Sequence, residues 1–413
     1  MNIIIQGLWH LGLVHAAGLH KFNHKIYCYS NNEFEVQELN KGKFPIYEKN
    51  LSSIINNAKS KNKITFTSKI SKNNKSKILW YCLDTPINKN DVADVKFVVK
   101  EIYVSIKNFK NIRYLIISSQ LPIGTVKKIE KFIKKNHINI EVIYIPENLR
   151  LGSSIKNFIE PDRIIVGARS DRSFKLIQKI FSKIKNRIIR VSPESAELIK
   201  HSINGFLALS ICYINEITRI AKKYSSDPLE IEKGLKSEER IGYKSYLSPG
   251  SAFAGGTLGR DVNLLNKISR EKKLNNSLIR NILKSNKVQK EYIYQNIRKY
   301  KKKNIIIIGL SYKEGTSTLR QSESIKFAMW LKKNNYKFFL YDPKIEKIPK
   351  TLEKKTISNL DKKIKDIDIY IFFYKQKKIK NLDKIILKYR NNKKTYFYDP
   401  CHNYLQRKEF IYI

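Results

Sequence analysis

Hydrophobic positions fall into short runs separated by longer stretches with helical spacing. Asn2–Gln6, Lys25–Tyr29, Ile78–Leu83, Tyr114–Ser118 and Glu141–Ile145 read as strands. Several are apolar on both faces, as parallel strands covered on two sides by helices are. Leu11–His20 and Val98–Lys107 carry helical spacing between them. The alternation predicts a doubly wound parallel sheet. From Ser192 the pattern changes. Pro193 suits a first helical turn, and Glu194–Tyr224 reads as one long helix. It is apolar almost all round, with Leu198, Ile199, Ile203, Phe206, Leu207, Ile211, Ile214 and Ile217. Such a helix is expected to be buried on several sides, in a central core or at a dimer interface.

A basic, polar stretch at Lys299–Asn304 marks a boundary. Beyond it Ile305–Leu310, Lys337–Tyr341, Ile367–Phe373 and Thr395–Tyr398 read as strands and Ile325–Asn334 as a helix. The expected fold class is therefore α/β, with two Rossmann-like doubly wound domains joined by a central long helix and a helical segment. The expected boundaries are 1–190, 191–300 and 301–413.

Composition narrows this picture. At 413 residues and 42% hydrophobic, the chain can bury two or three cores. No apolar stretch approaches the ~20 residues that a membrane span needs. Met1–Gly7 reads as a strand rather than a signal peptide. The expectation is a cytoplasmic protein without membrane insertion. Cys28, Cys82, Cys212 and Cys401 form no CxxC pair, so no metal site is expected. The first three stand in apolar surroundings, as buried small hydrophobes do. The formal net charge of +45 raises the question of nucleic acid. Yet the lysines are scattered along the whole chain, among abundant Asn and Ile, as biased codon usage produces. No compact module interleaves aromatic and basic residues. An anionic small substrate is the more economical partner, and no nucleic acid is expected.

The first strand runs into Gly7-Leu8-Trp9-His10-Leu11-Gly12, the strand–turn–helix position of a dinucleotide fingerprint. Gly7 permits the tight turn and Gly12 the close approach of helix to strand. The middle glycine, which lets backbone approach a pyrophosphate, is replaced by Trp9. The end of the second strand, where an acid normally binds ribose hydroxyls, carries Ser30, followed by Asn31 and Asn32. These two sites alone leave dinucleotide binding open.

Later segments are more informative together. Leu39–Glu48, Thr85-Pro86, Leu121-Pro-Ile-Gly-Thr125 with Gln120 before it, Pro146-Glu147-Asn148-Leu149-Arg150 and Pro161-Asp162-Arg163 occur in order. Lys200, Asn204, Asn215 and Glu216 follow on the long helix. Then come Arg240-Ile241-Gly242, Tyr246, Pro249-Gly250, Gly255, Arg260-Asp261 and Gly309-Leu-Ser-Tyr-Lys313 with Thr316, Arg320 and Ser322. In this register the chain resembles the UDP-glucose/GDP-mannose dehydrogenase family over nearly its whole length.

The resemblance implies an NAD-binding domain at 1–190, a dimer-forming helical domain with the substrate loop at 191–300, and a sugar-nucleotide-binding domain at 301–413. It implies twofold oxidation of a nucleoside-diphosphate sugar at C6, for surface polysaccharide synthesis, by a homodimer packed through the central helix. Cofactor positions would be Gly7, Leu11, Gly12, Ser30, Thr85, Pro86 and Gln120. Substrate positions would be Leu149, Arg150, Arg240, Tyr246, Gly250, Gly255, Arg260, Lys313 and Arg320. NAD is implied as cofactor, and Ser30 leaves NADP open. Lys200, Asn204, Asp261 and Glu147 match active-site positions. The chemistry agrees, because removing a hydride requires a cation to hold the developing alkoxide and a base or ordered water to take the proton. Lys200 and Asn204, four apart on one helix, share a face.

The family's second oxidation uses a cysteine thiolate to capture the aldehyde. The register of the loop from Pro249 puts Thr257 at that cysteine. A threonine hydroxyl without an activating base is a weak nucleophile, so no thioester is expected. Three outcomes stay open: release of an aldehyde, oxidation of its hydrate without covalent help, or oxidation of a secondary alcohol. The same departures also suit a homologue with reduced catalysis that binds a sugar nucleotide. Thr318 in place of an aspartate and Gly259-Arg260 in place of Pro-Lys add to them.

Overall fold

The structure, a computed structural model, describes residues 1–71, 74–85, 94–147, 149, 152–311, 319, 322–342, 345, 348–360, 366–373, 395–399 and 410–412, with backbone alone at 255–256 and 410–412. Pro86, Asn148, Arg150, Lys313, Thr316, Thr318, Arg320 and Cys401 lie outside the described residues. The chain divides into two compact units, Met1–Ser202 and Ile203–Ile413.

The first unit runs β1 (Asn2–Gln6), α1 (His10–Lys21), β2 (Lys25–Tyr29), α2 (Glu33–Asn40), α3 (Leu51–Ser60), β3 (Ile64–Thr67) and β4 (Ile78–Tyr81). It continues with α4 (Val95–Asn108), β5 (Tyr114–Ile117), α5 (Thr125–Lys135), β6 (Glu141–Tyr144), α6 (Ser154–Ile159), β7 (Ile164–Ala168), α7 (Asp171–Ile180) and β8 (Ile188–Val191). The first turns of α8 (Pro193–Lys223) close it. Among the described residues the strands form one sheet in the order β3-β2-β1-β4-β5-β6-β7-β8. The β6–β7 pairing is antiparallel and every other pairing parallel. The run 3-2-1-4-5-6 is the doubly wound dinucleotide-binding order, which reverses beside β1.

The apolar run of β1 follows from its place in this sheet. Ile3 and Ile5 enter one core with α1, α3, α6 and α7, whereas Ile4 enters the opposite core with α4, α5 and Ala196 of α8. Each fully buried isoleucine contributes roughly 1.5–3 kcal/mol, so a polar residue at any of the three is strongly disfavoured.

The second unit holds the rest of α8, α9 (Pro228–Ser237), a π-helical turn at Gly255–Gly259, α10 (Arg260–Glu271) and α11 (Ser277–Arg298). A second sheet follows, with β9 (Ile305–Ile308), α12 (Glu323–Lys333), β10 (Phe338–Tyr341), β11 (Ile369–Phe372), β12 (Thr395–Tyr398) and β13 (Phe410–Tyr412). It is parallel throughout, in the order β10-β9-β11-β12-β13. Ile293 and Ile297 of α11 share a core with Ile305, Ile307 and Phe327. Lys290 pairs with Glu323 at 2.9 Å, tying α11 to α12.

The long helix buries apolar and polar residues together, among them Ala196, Ala208, Cys212 and Ile214. Its most enclosed positions include Glu197, Lys200, His201, Asn204 and Asn215, while Leu198, Phe206, Tyr213 and Ile220 are exposed. The buried polar groups are tolerable because each has a bonded or charged neighbour, as burial requires. The inner face of the helix thus mixes polar and apolar residues, and an apolar strip stays exposed.

Candidate active site

The fingerprint turn comes first. Gly7 has φ +95°, and a Cβ there would lie 2.5 Å from the Leu83 nitrogen. A Cβ on Gly12 would lie 1.8 Å from the Gly7 carbonyl oxygen. Both positions therefore require glycine, Gly7 for its conformation and Gly12 for helix–turn packing. Leu11 is buried beside them, and Trp9 exposes about half of its surface. Trp9 occupies the cap position of α1 and provides no side-chain cap. First-turn N–H groups left without a side-chain cap, at the positive end of the helix, are the arrangement that receives a diphosphate. The indole is half exposed and contacts the His10 ring edge-on, with centroids 6.5 Å apart.

The neighbouring cofactor positions are held by a set of bonds. The Thr85 hydroxyl donates to the Gln120 carbonyl at 3.0 Å, and the Ser119 hydroxyl to the Leu83 carbonyl at 2.6 Å. The loop Leu121–Thr125 is pinned by α8. The Glu197 carboxylate accepts from Gly124 N at 2.5 Å and Val126 N at 2.8 Å, and His201 Nε2 lies 3.1 Å from the Leu121 carbonyl oxygen. Burial pushes the Glu197 carboxyl up from 4.5 to about 7, against the opposing pull of the α5 amides.

Sequence reasoning overlooked a buried trio that fixes this region. His10, the first residue of α1, lies 3.2 Å from Glu48 and from the Ser154 hydroxyl. Glu48 in turn accepts from Gly152 N and Ser154 N, both at 3.0 Å. The carboxylate thus joins the fingerprint helix to the loop that follows Glu147. The signal was the placement of Glu48 at the end of the Leu39–Glu48 segment, but its partners lie 38 positions away at His10 and 104 and 106 positions away at Gly152 and Ser154.

Of the expected catalytic residues, two pairs form, one in each unit. In the first, Lys200 is nearly buried and its Nζ lies 3.9 Å from Glu147 Oε2. The other oxygen of Glu147 accepts from Leu149 N, which fixes the carboxylate. In the second, Asn204 Nδ2 donates to Asp261 Oδ2, with Asp261 fully buried in the first turn of α10. Arg260 Nε lies 3.8 Å from the other Asp261 oxygen. Lys200 and Asn204 stand one turn apart on α8.

The loop before α10 is held by amides. Asn215 accepts from Gly250 N at 3.0 Å, Gln289 donates to the Gly250 carbonyl at 3.0 Å, and Asn286 bonds both the amide and the carbonyl of Phe253 at 2.9 Å. These lead into the π-helical turn that begins at Gly255 and carries Thr257, whose side chain is exposed. A π turn inserts an extra residue per turn and commonly marks a functional position. Arg240 and Tyr246 are exposed, and Arg240 donates to Glu238 at 2.8 Å. None of the described thiols suits a nucleophile. Cys28, Cys82 and Cys212 are buried, and burial raises all three pKa values.

The chain matches three domains of one family in sequence. The UDP-glucose/GDP-mannose dehydrogenase family's NAD binding domain matches residues 1–185, its central domain 194–288 and its UDP binding domain 306–406. The chain belongs to the UDP-glucose/GDP-mannose dehydrogenase family. As a member it is an NAD-dependent oxidoreductase acting on CH–OH groups. A UDP-glucose 6-dehydrogenase of Rickettsia conorii is 28% identical over 382 residues, covering 90% of this chain and 88% of the relative. UDP-glucose 6-dehydrogenase TuaD of Bacillus subtilis is 26% identical, covering 83% of this chain and 76% of the relative. Among solved structures, a UDP-glucose dehydrogenase from Pyrobaculum islandicum superposes with a TM-score of 0.85 at 21% identity, covering 100% of this chain and 96% of that one. A UDP-D-ManNAc dehydrogenase from Pyrococcus horikoshii gives 0.82 at 21% identity, covering 100% and 98%. These structures share the dehydrogenase fold. Among the described residues no helix is long and apolar enough to cross a membrane.

Proposed function

We propose that this dehydrogenase oxidises a UDP-linked sugar by one two-electron step, releasing a carbonyl product. NAD, bound at the β1–α1 turn, supplies the hydride acceptor. Lys200 holds the developing alkoxide by its positive charge, and Asn204 is proposed as a hydrogen-bond donor to substrate by its family position. Glu147 positions the ammonium and takes the hydroxyl proton through an ordered water. Asp261 fixes the Asn204 amide so that its remaining N–H points at substrate. The balance is one hydride to NAD and one proton to solvent for each carbonyl formed. The single observation that carries this is the nearly buried Lys200 ammonium 3.9 Å from a Glu147 carboxylate that the Leu149 amide holds in place.

A second oxidation through a covalent adduct lacks a nucleophile among the described residues in this reading. Thr257 takes the cysteine position, and the described thiols are buried. Leu149, Gly250, Gly255 and Arg260 would line the sugar, and Arg240 and Tyr246 the nucleotide side. Arg240, Arg260 and Arg320 are proposed for the phosphates, since guanidinium binds phosphate in a bidentate manner, and Arg150 and Lys313 as further substrate positions by their place in the sequence. The enzyme is proposed to act in the cytoplasm, in surface polysaccharide synthesis, and as a homodimer through α8. The exposed strip Phe206, Tyr213 and Ile220 recurs every seven residues, the spacing of a helix–helix seam.

Incubation with UDP-glucose, UDP-N-acetylmannosamine and GDP-mannose tests the reading. Growth of reduced-nicotinamide absorbance with a UDP-sugar supports it. The competing reading is a homologue of reduced catalysis, favoured by Trp9 and Thr257 at two usually conserved chemistries of the fold. It requires thermal stabilisation by sugar nucleotide with no NAD reduction on any of the three.

A further inference from the structure

We propose that Glu35, on α2, is the residue that selects NAD over NADP, by supplying the ribose-binding carboxylate that β2 lacks. This rests on NAD binding by the first unit. In a doubly wound dinucleotide fold, an acid at the end of the second strand accepts from the adenosine ribose hydroxyls. Here β2 ends at Tyr29 and the next residue is Ser30, which has no charge. Ser30 is 9% exposed and its amide bonds the Thr67 carbonyl, so its position is fixed by the β2–β3 pairing.

The Ser30 hydroxyl donates to Glu35 Oε2 and accepts from Asn32 N at 3.2 Å. Asn32 also caps α2, accepting from Glu35 N at 3.2 Å. The turn Ser30–Asn32 therefore folds the first turn of α2 back, and it brings a carboxylate to the place where the strand would have carried one. Glu35 is half-buried, so one oxygen can hold the serine while the other meets ligand. The following lysines do not build a site for the 2′-phosphate of NADP. Lys41 and Lys43 both pair with Glu38, at 3.1 and 2.9 Å. A 2′-phosphate beside Glu35 would meet like charge and lose the hydroxyl donor that the carboxylate accepts.

Equilibrium binding of NAD and NADP, followed by calorimetry on the purified full chain, tests this. The wild type binds NAD at least tenfold tighter than NADP. Glu35→Gln weakens NAD by about tenfold, the scale of a charge-assisted hydrogen bond, and brings the two affinities together. Glu35→Gln combined with Ser30→Asp restores the NAD preference, because the charge returns to the same place. Thermal unfolding of Glu35→Gln stays near wild type, since the glutamine amide oxygen can still accept from the Ser30 hydroxyl. If the wild type binds NAD but Glu35→Gln leaves both affinities within twofold, the assignment of Glu35 is overturned and NAD binding stands. If the wild type prefers NADP, the assignment is likewise overturned. If it binds neither cofactor, the cofactor reading of the first unit falls, and the assignment with it.

Discussion

A lysine and an asparagine share one helical face, and each is aimed by a carboxylate supplied from elsewhere in its own unit. That division of labour makes a specific prediction about kinetics. Lys200→Ala removes charge stabilisation that matters most in the transition state. It should lower kcat by about 10²–10³-fold, as loss of one oxyanion donor does, while the KM for the sugar nucleotide moves only a few fold. Steady-state rates with a UDP-sugar check this, and an equal fall in affinity with unchanged kcat would assign Lys200 to binding. Lys200 and Asn204 were legible in the sequence because four-residue spacing on a helix is local information. Glu147 and Asp261 were legible only through resemblance, since 53 and 57 positions respectively separate them from the helical residues they serve. Glu35 escaped altogether: nothing in Ser30-Asn31-Asn32 announces that α2 folds back onto the strand end.

Among the elements, α8 carries more than its apolar pattern suggested. Periodicity correctly marked its length and ends to within a residue, because 31 residues without glycine-rich breaks or internal proline have no other regular state. It gave no sign that Glu197 and His201, polar yet buried, bond the Leu121–Thr125 loop. Glu197 gives a test of that arrangement. Its carboxyl is raised from 4.5 to about 7 in the fold, so the folded state binds the proton more tightly than the unfolded chain. Its stabilising contribution is full below about pH 4.5 and is lost as pH rises through about 7. Relative to Glu197→Gln, the wild type should lose melting temperature between pH 5 and pH 8, with no further relative change above that range. A difference between the two proteins that is independent of pH would show that Glu197 is not held protonated by burial. The doubly wound character of the first sheet, though not its strand order, was readable from runs such as Ile3–Ile5, which need cover on both faces. The strands β3, β7 and β8 were not named: β3 and β8 carry polar residues within their short runs, and Gly167 interrupts the apolar run of β7.

For the whole molecule, the exposed strip of α8 leaves large apolar side chains without cover. Phe206 is 66% and Ile220 55% exposed, which a stable soluble oligomer would bury. Phe206→Glu together with Tyr213→Glu should halve the particle mass measured by light scattering at micromolar protein. An unchanged mass would place the interface elsewhere. The net charge of +45 is spread over both units and serves solubility and attraction of anionic substrate more than any one contact. The net reaction is where the proposed chemistry is most exposed to test. Each UDP-sugar consumed should yield one reduced NAD and a product two mass units lighter, and Thr257→Cys should raise that ratio toward two with carboxylate formed. A wild-type enzyme that already gives two reduced NAD and a carboxylate through a covalent adduct would contradict the account.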